Sequence, residues 1–343
     1  MEFIHFLHCY LPNKAYGARR VYRDMVEQAV TADGLGYSGI GIPEHHLMNF
    51  LMCPSPLQMA VKIASRTQNV DLITSVVVLP VHDMRVFAGE IAQADMLCDG
   101  RLIIGAGRGA FAYEVGRLGT PLEQTREKFG ESFALLQKLL SEEEVSWNGD
   151  FYKFDALTTM PRPMQPVRYM VAAMAPDSIY YCAKKGLHVQ TTALGGSHEM
   201  LVEQVDSFER GRGDAEVGAK KNKLFAQRVL YAARDQKDAR QKIELAHEYY
   251  KRFDNVFTGP GRLTNGFVDA LPREQTMEEL ANNLLICPVP ELIDRLGTYS
   301  EVGIDNVIAS GFGAPHEDTI DMMHRFAEEV MPHFRKGHVA ASA

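Results

Sequence analysis

The sequence predicts an α/β fold, a TIM (β/α)8 barrel with insertions, and three observations lead to it. Short β-rich runs alternate with amphipathic helical patterns eight times along a chain of 343 residues. The third run, VDLITSVVVLP from Val70 to Pro80, is almost continuously apolar, as a parallel strand is when helices cover its sheet. No short-period repeat and no clean linker divides the chain, so residues 1–335 read as one domain and 336–343 as a disordered tail.

The elements follow in order. Residues 2–9 (EFIHFLHC) form the first strand, and about 17–33 the first helix, with Val21, Met25, Ala29 and Ala32 on one stripe. Gly34 and Gly36 end that helix, YSGIGIPE is the second strand, and SPLQMAVKIASRT the second helix. After the third strand, residues 84–98 are helical, RLIIGAGRG is the fourth strand, and 121–140 is the next amphipathic helix. EVSWNGDFYKF breaks the rhythm as a β-hairpin around Asn148-Gly149. A Pro-rich link, MPRPMQP, leads to the fifth strand, VRYMVAAMA, whose helix opens at Pro176. Strands six, seven and eight fall at 187–193, 224–233 and 304–311, with a final helix at about 316–331. The stretch 255–282, rich in Gly, Asn and Pro, is a long loop before the last strand; that length predicts a lid or mobile loop.

Composition narrows the function. With 36 basic against 44 acidic residues the formal charge is −8, and no long Lys/Arg run offers a surface for nucleic acid or anionic membrane. The longest apolar stretch is about half of what a membrane span needs. Five cysteines, widely scattered and without a CxxC spacing, fit reduced thiols in a reducing compartment. The N-terminal segment has no basic region and its apolar run is broken by His5 and His8, so it reads as a strand, not a signal peptide. A cytoplasmic protein is expected.

Functional groups of a TIM barrel stand at the C-terminal ends of its strands, which makes three places informative. Glu44-His45-His46, after strand two, could bind a metal, shuttle a proton or hydrogen-bond a ligand; equally, one His could cap backbone and the other be solvated. Adjacent histidines cannot share a helical face as an i, i+4 zinc pair does, and no metal set is completed elsewhere, so no metal is expected. GAGRGAFAYEVGRLG, from Gly105 to Gly119, lets backbone approach a ligand and offers Arg108 to a phosphate, or the arginine pairs with a carboxylate. It matches neither a P-loop nor GxGxxG. Met174-Ala175-Pro176-Asp177-Ser178, after strand five, reads first as helix capping and second as an anion site.

Taken together, MEFIHFLHCYLP, PEHHLMNFLMCPSP, TSVVVLPVHDMRVFAGEIAQADMLCDGRLIIGAGRGAF, DFYKF, MPRPMQ and APHEDTIDMMHRFAEEVMPHF resemble the bacterial luciferase-like flavin-dependent monooxygenases, the alkanal monooxygenase α-subunit in particular. The resemblance covers most of the chain and is weakest over about 194–300. It implies a TIM barrel with a hairpin-like insertion, reduced FMN with O2 as co-substrate, a C4a-peroxyflavin that oxidises a small, aldehyde-like substrate, a separate NAD(P)H:flavin reductase, and a homodimer through early helices.

By position the resemblance makes His45 the group that handles protons, with Glu44 the second catalytic residue beside it, and Arg108 the holder of the FMN phosphate. Ser75-Val76 falls where the family has a non-prolyl cis peptide beneath the flavin, and Gly107 where the luciferase has a cysteine. Ala173, Met174 and Ser178 complete the cofactor set, although Met174 and Ala175 replace small hydroxyl residues common in relatives. Phe6, His8, Met48, Phe50 and Met52 could line a dry substrate pocket, or serve as core. Two other readings are an F420-dependent dehydrogenase on the same barrel and a non-catalytic flavin-binding partner subunit.

Overall fold

The computed structural model describes residues 1–216 and 221–335. Eight parallel strands close into a barrel: β1 Glu2–Phe6, β2 Gly39–Ile42, β3 Asp71–Thr74, β4 Leu102–Gly107, β5 Arg168–Ala172, β6 His188–Thr192, β7 Leu224–Ala233 and β8 Asn306–Ser310. Each pairs with the next in chain order, and β8 returns to β1 with Phe3 opposite Val307, so no edge is left open. All eight coincide with the expected β runs. The expected tail lies outside the described residues.

Strand alternation sorts the core into two bodies. Ile4, Phe6, Ile73, Ile103, Met170, Phe225 and Ile308 fill the barrel with Leu51, while alternate residues such as Phe3, Leu7, Ile40 and Leu72 face the helices. Helix α1 (Ala18–Leu35) buries the stripe Val21, Met25, Ala29 and Ala32, as its periodicity requires. It runs through Gly34 and stops at Gly36, whose φ of 80° suits the left-handed C-terminal position. α2 (Pro56–Ala64) opens with proline at its first position, and α3 (Met84–Leu97) is capped by the Asp83 side chain accepting from the Arg85 amide.

The expected hairpin is present, Val145–Asn148 against Lys153–Leu157, with four residues between its paired ends. The Glu131 carboxylate accepts the amides of Asp150, Phe151 and Tyr152 and the Trp147 indole N–H, so a side chain from the preceding helix shapes the turn. The stretch 255–282 is not an unstructured loop. It holds the end of a long helix (Gln236–Phe257), a small hairpin (Leu263–Thr264 with Phe267–Val268) and most of a helix (Met277–Asn283) with a Thr276/Glu279 capping box. A further strand, Leu285–Pro288, then pairs with the far end of β7, and a helix, Val289–Glu301, intervenes before β8. Buried Arg228 of β7 gathers the carbonyls of Leu194, Gly196 and Asn283, securing this stretch to the loop after β6.

Among the described residues no helix is long and apolar enough to cross a membrane. All five cysteines are free thiols, four of them buried.

Candidate active site

The C-terminal ends of the strands carry the predicted residues. After β2 the chain passes Pro43 into Glu44-His45-His46 and returns so that the His45 amide donates to the Cys53 carbonyl at 3.3 Å. Leu47 and Leu51 take positive φ, 64° and 46°, which turns this loop tightly over the barrel end.

Two buried carboxylates organise the histidines. Glu114, from the short helix Ala112–Arg117 after β4, accepts from His45 Nδ1 at 3.0 Å and from the His46 amide at 2.9 Å. That hydrogen bond assigns the proton to Nδ1 and leaves His45 Nε2 without a hydrogen-bond partner among the described residues. The His45 ring is stacked on Phe111 at 4.4 Å and remains partly exposed. Glu44 is closed from solvent and accepts from His46 Nε2 (2.8 Å), His82 Nε2 (2.7 Å) and the Val78 amide (2.7 Å). Burial alone would push its carboxyl up; these three donors hold it below the usual carboxylate range. The Glu44 hydrogen bond in turn raises His46 above its ordinary value. Glu44 therefore meets histidines and backbone, with both oxygens engaged.

The cofactor candidates gather on the neighbouring strands. The peptide bond Ser75–Val76 is cis, and beyond it Val77–Val78 pairs with the end of β4. Ser75 Oγ donates to Gln190 Oε1 at 2.9 Å, and Gln190 Nε2 donates to Gln227 Oε1 at 2.7 Å, making an amide chain across the barrel floor. A Cβ on Gly107 would come within 2.6 Å of Val76 Cγ2 and 3.9 Å of the Ala172 Cβ. Gly107 thus lets β4 pack closely against Val76, with Ala172 and buried Ala173 on the neighbouring strand end. Arg108 follows Gly107 directly, exposed, and no described residue bonds to it.

Helix Pro176–Lys184 starts beside β5, and its N-cap position, Ala175, makes no side-chain cap. Pro176 opens the helix with Asp177 in its first turn, as the capping reading expects, and because no side chain bonds at the N-cap position the amide of half-buried Ser178 also remains available to an anion. Met174 is 40% exposed, and its carbonyl accepts from Gln204. Free guanidinium and helix N-terminal amides are together the kind of donors that a phosphate group needs.

The pocket candidates divide. Phe6 lies at the barrel floor and His8 above it. Met48 and fully buried Phe50 belong to the outer core, where Phe50 stacks on Tyr249 at 4.7 Å, and Met52 packs against the same core. Leu51, between them, is the residue that joins the barrel interior.

A family model for luciferase-like monooxygenases matches residues 1–306. The chain belongs to the luciferase-like monooxygenase family. Within that family it is 28% identical, over 99% of its length and 97% of the relative's, to the oxygenase component of a flavin-dependent trigonelline monooxygenase from Acinetobacter baylyi. It is 25% identical, over 91% of its length and 95% of the relative's, to an F420-dependent glucose-6-phosphate dehydrogenase from Amycolatopsis mediterranei. Among solved structures, the monooxygenase RslO1 from Streptomyces bottropensis superposes with a TM-score of 0.82 at 24% identity, covering 98% of this chain and all of that one, a likeness of fold.

Sequence reasoning about this luciferase-like chain missed Glu114, His82 and the Gln190–Gln227 pair. Glu114 stands within the inspected Gly105–Gly119 segment, so a search for a carboxylate to orient His45 had one candidate at hand. Away from the mouth, ligand-type atoms of Asp24, Glu27 and His316 lie within 4.8 Å of one another, a cluster that was not anticipated. Asp24 there already accepts from the Tyr16 hydroxyl at 2.5 Å and lies 3.9 Å from both Arg20 and Arg23.

Proposed function

We propose that the protein is the oxygenase component of a two-component monooxygenase, taking reduced FMN from a separate NAD(P)H-dependent reductase and oxidising a small organic substrate with O2. Reduced FMN, when bound, supplies the electrons that activate O2 for transfer of one oxygen atom. The observation that carries the reading is the placement of the Glu114–His45 pair at the same barrel end as exposed Arg108, which no described residue bonds.

In this reading Arg108, Ser178 and the uncapped helix amides hold the phosphate, and Gly107, Ala173, Met174 and Ser75–Val76 accept the ring. His45 accepts or gives a proton at Nε2, and Glu114 fixes its tautomer. Glu44 acts through His46 and His82 by positioning them. The family precedent for the substrate is a small aldehyde, and the name of the Acinetobacter relative adds aromatic heterocycles to the class. The reading includes a homodimer through early helices, where an open hollow of about 550 Å³ beside α1 and α2 has an apolar floor of Val26, Val30 and Met59 and a charged rim that includes Arg23, Glu27 and Lys62. It places the protein in the cytoplasm, where five unpaired thiols persist.

The test is stopped-flow absorbance of protein with photoreduced FMN mixed with oxygenated buffer. A transient spectrum distinct from reduced and oxidised FMN, decaying slowly, is expected. Reoxidation at the free-flavin rate would remove the proposal. The likeness to the Amycolatopsis enzyme supports a second reading, an F420-dependent dehydrogenase. Tight F420 binding together with free-rate FMN reoxidation would select it.

A further inference from the structure

We propose that the cavity at the opposite end of the barrel from His45 is a second binding site, and that it takes a small apolar amino acid. The site is built at the strand starts, away from the catalytic mouth, and stands whether or not the monooxygenase reading does.

Its place follows from the strand register. Asn306 opens β8 between Glu2 of β1 and Phe225 of β7, so three strand starts meet there. The helix His198–Gly213 brings Phe208 and Arg212 to the same spot, and Arg335 arrives from the last turn of the described chain. Together they line a cavity of about 340 Å³, within the range of small-molecule sites. A Cβ on Gly303, at its edge, would meet nothing within 4 Å.

Two asparagines set the polarity of the lining. Asn306 and Asn222 are only 2% and 4% exposed, and both border the cavity. Asn222 Nδ2 donates to the carbonyls of Ala183 at 3.0 Å and Leu187 at 3.1 Å, and Asn306 Nδ2 to that of Leu224 at 3.4 Å. Those carbonyls accept only from an N–H, which fixes the orientation of both amides and turns each Oδ1 away from them. Neither Oδ1 has a hydrogen-bond partner, a costly state for a buried acceptor. The complement of two amide oxygens is a donor-rich group, and an ammonium, with three N–H bonds and no acceptor, fits that need best.

The remaining side chains select the rest of the ligand. Phe3, Phe208, Leu224 and Met331 give the cavity a buried apolar wall. At the rim Glu2 pairs with Lys223 at 3.3 Å and Glu209 with Arg212, while the Met1 ammonium donates to the Phe334 carbonyl at 2.8 Å. The carboxylate of Asp305 and the guanidinium of Arg335 are left over, both exposed and neither bonded to a described side chain. One free charge of each sign suits a ligand that carries both, an ammonium and a carboxylate on an aliphatic body. A simple amine would meet Arg335 unopposed, and a simple carboxylate would meet Asp305.

The experiment is calorimetric titration of the purified full chain with L-leucine, with 4-methylpentanoate (leucine without its amino group) and with 3-methylbutylamine (leucine without its carboxylate). Leucine is expected to bind about tenfold or more tightly than either analogue, the scale of a charged hydrogen bond, and to raise the melting temperature. Asn306→Leu should bring leucine down to the level of 4-methylpentanoate. Arg335→Ala, an exposed position where folding is not at stake, should bring it down to the level of 3-methylbutylamine. FMN reoxidation is read separately, so failure here and failure of that test are distinct results. No heat from leucine at millimolar concentrations, equal binding of the three compounds, or leucine affinity unchanged in the two variants would each overturn the site and leave the cavity to water.

Discussion

Glu114 Oε2 lies 3.0 Å from Nδ1 of His45, although 69 residues separate the two in the chain. The contact exists because β2 and β4 each deliver a loop to the same end of the barrel. Its consequence is directional: one face of the imidazole rests on Phe111, one nitrogen is held by a carboxylate, and Nε2 is left for chemistry.

Replacing Glu114 by Gln keeps the shape and removes the charge. Turnover per reduced flavin should fall roughly 10- to 100-fold, the worth of a hydrogen bond to a charged group. Steady-state kinetics alongside a flavin reductase measures it, and unchanged turnover would detach Glu114 from the reaction.

His45→Ala should leave reduced FMN bound nearly as before while more hydrogen peroxide escapes per flavin oxidised. A peroxide assay against product yield reads this directly. If coupling stayed the same, His45 would have no part in handling the proton.

Arg108→Ala should weaken FMN binding by about 1.5–3 kcal/mol. Fluorescence titration gives the affinity, and an unaltered value would place the phosphate elsewhere.

The Glu44 cluster makes stability depend on pH on two limbs. Glu44 has a lowered pKa, so its contribution is present above its ordinary value of 4.5 and is lost as pH falls through the lowered one. His46 has a raised pKa, so its contribution is complete below its ordinary 6.5 and is lost as pH rises through the raised one. Urea unfolding from pH 3.5 to 8.5 should show Glu44→Gln flattening the acid limb and His46→Gln the alkaline limb. Identical profiles for variants and native protein would show that the cluster carries no linkage.

Asn49 joins three segments. Its Nδ2 donates to the Leu11 carbonyl at 2.9 Å, its Oδ1 accepts the Val268 amide at 2.9 Å, and its own amide donates to Gly266 at 2.8 Å. Asn49→Ala leaves a buried donor and a buried acceptor unpaired, costing about 2–4 kcal/mol. Hydrogen exchange at Val268 should accelerate markedly, and unchanged protection there would mean the small hairpin is held by other contacts.

Much of this architecture was legible because it is written locally. The stripe of Val21, Met25, Ala29 and Ala32 fixes α1, and the apolar run through Leu72 and Ile73 marks a strand covered by helices. The site was legible only where one segment carried it, as at His45 and Arg108. Glu114 and His82 reach the histidine cluster through barrel closure, which no spacing reveals. The same holds for the turn after Asn148, decided by Glu131 from another element. Met48 and Phe50 stand beside His45 in sequence, yet Tyr249, from a helix some 200 residues later, draws Phe50 into the core. Neighbouring in sequence was there a poor guide to facing the ligand.

At the Asn49 junction the loop that presents His45 and the hairpin at 263–268 share one anchor, so the hairpin cannot move off that loop without giving up the bonds of Asn49. A segment more than 200 residues away in the chain thereby acts as a strap over the loop that carries the imidazole.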